Sequence, residues 1–223
     1  HLGVRRQRQM CIRDSAVIEN MHYEGIDNIS TQDIDYGKQL QLVLKPLSIG
    51  MSKNNKFTLG SFPAFVKEKS LLASIQNESN AVLMNTESTG GTMYAGPGAG
   101  AKPTSNSVLT DIIDIARGKI FDYQEFVKTS LDASFEDFSC GHYLRMEVSD
   151  EAGVIAKIST VMAENGLSID NLIQKELDKK EDVIPLVIVT SNSEEKVIQK
   201  VISDLRELSE VKNSISHLRI LDI

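Results

Sequence analysis

Gly96-Pro97-Gly98-Ala99-Gly100-Ala101 is the most unusual local sequence in this chain of 223 residues. Glycines let backbone approach a ligand closely and permit positive φ. The run follows a strand-like stretch, Thr92 to Ala95. It leads into a helix that starts at Pro103 and Thr104, with Val108, Leu109, Ile112, Ile113 and Ala116 on one apolar face. Free N–H groups at a helix N-terminus favour an anion or a polar ligand. The string also fits G-x-G-x-x-A. A dinucleotide fingerprint, however, needs a strand ending in Asp or Glu about 20 residues later, and Lys119-Ile120-Phe121-Asp122 offers none. An anion-binding loop and a tight turn that packs the helix onto a sheet both fit this spacing.

Other chemistry is sparse. His1, His22, His142 and His217 are scattered, and none pairs with a Cys or another His at metal-ligand spacing, so no metal site is expected. Cys11 and Cys140 cannot build a disulfide framework and suit a reducing cytoplasm. A net charge of −7 argues against a nucleic-acid binder. No run of 18 apolar residues is present to make a membrane helix. Hydrophobic residues at 41% and charged residues at 25% are ordinary for a globular chain, and aromatics at only 5% imply aliphatic cores.

The charge is uneven. Residues 1–15 carry Arg5, Arg6, Arg8 and Arg13 against Asp14 alone, on an otherwise acidic chain. No apolar stretch of signal-peptide length follows Arg8. A basic arm for nucleic acid is one reading of this start. The other is a foreign segment that looks like translated adapter sequence; it sets 1–15 outside fold reasoning and places the chain's beginning inside a larger protein.

The elements that must position these groups follow from local signals. Ser30-Thr31-Gln32-Asp33 predicts a capping box and a short helix to about Leu40. Leu42 to Ile49 leans to strand, and Pro46 demotes it to an edge or a bulge. Ser52 to Lys56 reads as a hairpin turn, and Phe57 to Val66 as a returning strand broken by Gly60 and Pro63. Ser70 to Gln76 reads as one or two helical turns. Asn80 to Met84 and Thr92 to Ala95 are strands joined through Ser88 to Gly91. Residues 119–140 read as a linker that packs lightly.

Residues 141–223 are more regular. Leu144, Met146 and Val148 alternate as a strand, and Asp150 to Gly153 make a turn. Val154, Ile158, Val161 and Met162 repeat at helical spacing up to Asn165-Gly166. Strands follow over Leu167 to Glu176 and Ile184 to Thr190, around a charged loop at Asp178 to Asp182. Ser191 to Glu194 reads as a second capping box, opening a helix that turns Val197, Ile198, Val201, Ile202, Leu205 and Leu208 inward. Ile215 to Leu221 is the last strand. The order is βαββαβ, with both helices on one face of a four-stranded antiparallel sheet. The other face is left partly apolar, which predicts pairing with a second copy.

This unit resembles an ACT domain, a small amino-acid-sensing module. The likeness lies in Tyr143 to Ile158, with Ala152 where the family usually has Pro in Asp-x-Pro-Gly-Val, and in Asn165-Gly166-Leu167-Ser168-Ile169. It implies that Asp150, Gly153, Val154 and Ile155 hold an effector carboxylate through free N–H groups; threonine is a candidate effector. An ACT fold that binds nothing and only dimerises stays open.

The first half resembles homoserine dehydrogenases. Glu24 to Ile34 is similar to the segment after their catalytic region. Ser79-Asn80-Ala81-Val82 is similar to their F-N-A-V element, with Ser79 for Phe. Tyr94 to Thr104, with Val108 and Asp111, is similar to their G-x-G-A-G-x-x-P-T signature. The likeness runs over roughly residues 16–223. It implies NAD(P)-dependent interconversion of L-aspartate 4-semialdehyde and L-homoserine in the whole cytoplasmic enzyme. The proton-transfer Lys and the main NADP- or NAD-binding domain would lie upstream, so no catalytic residue is expected here. It makes Gly98, Ala99 and Gly100 the cofactor contacts, and Glu24, Asp33 and Lys45 structural or solvated.

The expected fold class is α+β: a truncated mixed α/β catalytic domain with an antiparallel-rich sheet over 16–118, a linker over 119–140, and a ferredoxin-like ACT domain over 141–223. The expected partners are the small-molecule substrate, an amino-acid effector and further copies of the chain, with no nucleic acid and no membrane. The chain alone is expected to be inactive. The alternative is a free-standing ACT-type regulatory protein without catalysis.

Overall fold

The computed structural model describes residues 21–53, 56–118, 134–174, 183–212 and 215–223. The expectations for the segment 1–15, for the Asn54-Asn55 turn, for 119–133 and for the charged loop at 178–182 lie outside the described residues.

Described residues up to 67 form one compact unit with those from 134 to 222, and residues 68–118 form a second. The first unit is built on a seven-stranded sheet. Its ACT-like part runs β6 (Ser139–Ser149), α3 (Val154–Glu164), β7 (Ile169–Gln174), β8 (Val183–Glu194), α4 (Glu195–Arg206) and β9 (Ser216–Leu221). The strand order is β9-β6-β8-β7, antiparallel throughout, so the expected βαββαβ fold is observed. Alternation sends Leu144, Met146 and Val148 of β6 to the helix side. There they pack with Ile158 and Met162 of α3 and with Ile198, Val201 and Leu205 of α4.

The earlier strands extend this sheet. β3 (Lys56–Lys67) pairs in parallel with β9 through Ala64, Phe65 and Val66. β2 (Leu42–Lys53) pairs only with β3, and so is the edge strand that Pro46 predicts. β1 (His22–Tyr23) lies parallel to β3 at Gly60 and Ser61.

β3 is not broken at Gly60 or Pro63. Pro63 sits opposite Pro46, and on its other edge it falls between the β1 ladder, which ends at Ser61, and the β9 ladder, which starts at Ala64. The missing N–H therefore interrupts no ladder there. Gly60 leaves room for rings: a Cβ would stand 2.7 Å from Phe62 and 2.9 Å from Phe135.

Three further expectations are corrected. The second face of the ACT-like sheet is not left for another copy. Helix α1 (Thr31–Gln39) covers it: Tyr36 of α1, with Leu42 of β2 and Phe65 of β3, packs with Tyr143, Val187 and Leu218. The end of the linker is not lightly packed, because Phe135 and Phe138 are buried beside Phe62. Ser191 to Glu194 form no cap. Pairing with β6 keeps that segment extended through Glu194, and α4 starts at Glu195 without a side-chain cap.

The second unit holds a 3₁₀ turn (Leu71–Ser74), the hairpin β4 (Ser79–Thr86) and β5 (Gly90–Pro97), and helix α2 (Ala101–Ala116). The hairpin strands pair along their full length, from Ser79 with Pro97 to Thr86 with Gly90. α2 starts two residues before the expected Pro103. It buries no residue, and Val108, Leu109, Ile112, Ile113 and Ile115 are all exposed.

Candidate functional site

The glycine loop joins β5 to α2. Gly98 donates its N–H to the carbonyl of Glu78 at 2.8 Å, so this amide is already spent. A Cβ at Gly98 would fall 1.6 Å from Asn80 Nδ2, so the Asn80 amide occupies the space a side chain would need. Gly100 is the N-cap of α2 with φ 117° and ψ 157°, a region that in practice only glycine occupies. It offers no side-chain cap, and no described residue accepts from the N–H of Ala99 or Gly100. Two successive exposed amides thus stand at the start of a 16-residue helix, where the helix dipole favours negative charge.

The ACT-like loop is a second helix start. Asp150, Gly153 and Ile155 are exposed there, and Gly153 is the left-handed N-cap of α3 (φ 94°). Val154 differs: its side chain is buried in the core, so only its backbone can face a ligand. Among the described residues no group of three or more His, Cys, Asp or Glu is placed to hold a metal ion, and no helix is long and apolar enough to cross a membrane.

The buried charges take no part in either loop. They tie segment 22–40 to the ACT-like sheet in two places. Asp33 is fully buried and serves as N3 of α1, completing the predicted capping box with Ser30. Arg145 of β6 grips it through Nε at 2.7 Å and Nη2 at 3.1 Å, and the Tyr143 hydroxyl donates to it at 3.0 Å. Burial alone would raise the Asp33 pKa. Hydrogen bonds from Arg145 and Ser30, and the Arg145 charge, more than offset that and hold it below its ordinary value.

The second tie is Arg219 of β9, which is fully buried. It donates to Glu195 through Nε (2.9 Å) and Nη2 (2.6 Å), and to Glu24 through Nη1 and Nη2 (both 2.8 Å). Its guanidinium lies 4.6 Å from the Phe62 ring and 5.0 Å from that of Phe135. His22 stacks on Phe135 and reaches Glu24 at 2.7 Å. Burial would raise the Glu24 carboxyl, but His22 and Arg219 bring it down to about 2. Glu195 is likewise lowered against its burial, chiefly by Arg219.

Beside this knot, burial pushes His142 down to about 4, so it is neutral at pH 7. Its Nε2 lies 3.3 Å from the Ser193 carbonyl, which can only accept, and its Nδ1 lies 3.0 Å from His217 Nε2. The tautomers follow. His142 donates from Nε2 and accepts at Nδ1; His217, which burial and the Arg219 charge push down to about 3, is also neutral, so it donates from Nε2 and keeps the lone pair on Nδ1.

Glu24 and Asp33 are thus structural, as expected. Arg145, Glu195 and Arg219 were not anticipated from sequence. One signal was available: a charge at Arg219 inside the apolar run Leu218 to Leu221 needs a buried partner.

Comparison with known proteins agrees with this layout. The homoserine dehydrogenase family matches residues 8–113, and the ACT domain family matches residues 142–210. The homoserine dehydrogenase of Helicobacter pylori is 30% identical over 208 residues, 92% of this chain and 49% of its own length. That of Pseudomonas aeruginosa is 28% identical over 212 residues, 91% of this chain and 49% of its own. A crystal structure of a homoserine dehydrogenase from Thiobacillus denitrificans superposes with a TM-score of 0.80 at 26% identity, over 92% of this chain and 48% of that one. The chain therefore spans about half the length of the relatives it matches.

Proposed function

We propose that this chain, which belongs to the homoserine dehydrogenase family and carries an ACT domain, is the C-terminal half of an enzyme that interconverts L-aspartate 4-semialdehyde and L-homoserine with NADP or NAD. One observation carries the reading. In the second unit an uncapped glycine loop, with Ala99 and Gly100 presenting free amides, opens a helix whose apolar stripe is bare. The stripe suits cover by the preceding half, and the amides suit a polar atom of a cofactor which that half grips. Gly98 serves by letting Asn80 lie close, since its own N–H is taken.

On this reading the described residues bind and position, proton transfer belongs to the preceding half, and the chain alone is expected to turn over nothing. The choice between NAD and NADP is made at the ribose, away from this loop. In the ACT-like unit, Asp150, the backbone at Gly153 and Val154, and Ile155 form the receptor for an amino-acid effector such as threonine. The exposure of that loop at the start of α3 supports this. As a biosynthetic enzyme the whole protein would act in the cytoplasm, with further copies of itself as partners.

The loop is tested by Gly100→Ala in the chain fused behind the N-terminal half of the Pseudomonas aeruginosa relative. An alanine at φ 117° is strained, and a cost of about 1–3 kcal/mol predicts roughly a tenfold rise in KM for NADPH. The KM for aspartate semialdehyde should stay within about twofold, since uniform loss would reflect misfolding rather than cofactor contact. An unchanged KM for NADPH would remove the loop from the cofactor site.

A further inference from the structure

A cleft of about 390 Å³ opens in the first unit between loop 23–29, helix α4 and the start of β9. It is separate from the glycine loop and from the loop at 150–155, and no role assigned so far uses it. Ile29, Pro63, Ile202, Ile215 and Leu218 give it apolar lining. Its charges differ in one respect. Glu24 is already paired with Arg219. Asp27, on the loop, and Arg206, on the last turn of α4, are exposed and make no ion pair or side-chain hydrogen bond among the described residues.

His217 also lines the cleft, and the tautomers derived above leave its Nδ1 an acceptor without a described partner. The cleft therefore combines an unspent carboxylate, an imidazole, an unspent guanidinium and aliphatic surface. A bare cation would meet Arg206 there, and a bare anion would meet Asp27 and Glu24. A ligand carrying both signs satisfies all of them. Its ammonium has three donors for Asp27 and His217, its carboxylate matches the two-pronged guanidinium, and a branched side chain covers the Ile, Leu and Pro lining.

We infer that this cleft is a binding site for a small aliphatic α-amino acid in its zwitterionic form. The inference stands whether or not the dehydrogenase reading does, since it uses only groups within this unit.

Calorimetric titration of the 223-residue chain with L-leucine tests it, alongside two half-analogues: 4-methylpentanoate, which lacks the ammonium, and 3-methylbutylamine, which lacks the carboxylate. L-leucine should bind, and each half-analogue should bind at least about tenfold more weakly, which is about 1.4 kcal/mol. Asp27→Asn and Arg206→Gln should each cost about tenfold or more in L-leucine affinity. Both positions are exposed, so circular dichroism should show the fold retained. No heat with L-leucine at millimolar concentration would overturn the inference. So would binding that survives both substitutions, or binding abolished by Asp150→Asn but not by Asp27→Asn, which would place the ligand on the other loop.

Discussion

Arg219→Met is expected to lower stability at pH 7 by about 3–5 kcal/mol, read as a shift of the urea midpoint without a change in slope. The native guanidinium holds Glu195 with two hydrogen bonds and Glu24 with two more, and lies over the rings of Phe62 and Phe135. Methionine fills similar volume but leaves two carboxylates facing each other without a cation. The cost belongs mainly to the charges left behind, so Arg219→Met combined with Glu195→Leu should recover part of the loss.

The pH dependence has a defined sign. In the native chain both carboxyls titrate below their ordinary value of 4.5, Glu24 at about 2. Their contribution is complete above pH 4.5 and is lost as pH falls toward 2. Without the guanidinium, burial is opposed only by His22 at Glu24 and by Gln199 and His217 at Glu195, so both folded-state carboxyls titrate higher than in the native chain. The variant then favours protonated carboxyls, and its deficit should narrow between pH 7 and about pH 4. A variant as stable as the native chain at pH 7 would show that Arg219 ties nothing together.

Asp33→Ala should cost a comparable amount, about 3–5 kcal/mol. Asp33 accepts from Arg145, from the Tyr143 hydroxyl and from the Ser30 N–H. Alanine removes half of the capping box and leaves Arg145 partly buried without its anion. Ser30→Ala offers the comparison. It removes the cap but spares the ion pair, and should cost only about 1 kcal/mol. Equal losses in the two variants, by equilibrium urea unfolding, would mean that the link from α1 to β6 adds nothing beyond local capping.

These two ties also mark where sequence reasoning stops. The capping box at Ser30 and Asp33 was legible because its partners lie three residues apart, and the ACT-like order was legible because its periods alternate cleanly between 2 and 3.6. The same local grammar failed at Ser191 to Glu194. Pairing with β6 overrides the cap signal there, and the acid at the helix start turns to Arg219, 24 residues away. The cover on the second face of the ACT-like sheet was not legible either. Tyr36 and Phe65 reach Tyr143 across the sequence, and nothing in the alternation of β6 says whether another copy or an earlier helix fills that face. Pro63 misled for a related reason: its tolerance depends on where two neighbouring ladders stop. The glycine loop was found by its composition, whereas the spent amide of Gly98 needed the position of Glu78.

The central claim is that this chain contributes binding surfaces to a dehydrogenase whose chemistry is completed by a preceding half. The most direct measurement follows NADPH absorbance with L-aspartate 4-semialdehyde, first for the purified chain and then for the chain fused behind the N-terminal half of the Pseudomonas aeruginosa relative. The account predicts no oxidation by the chain alone and steady turnover by the fusion. Turnover by the chain alone, or a folded fusion that binds NADPH yet never oxidises it, would contradict the account.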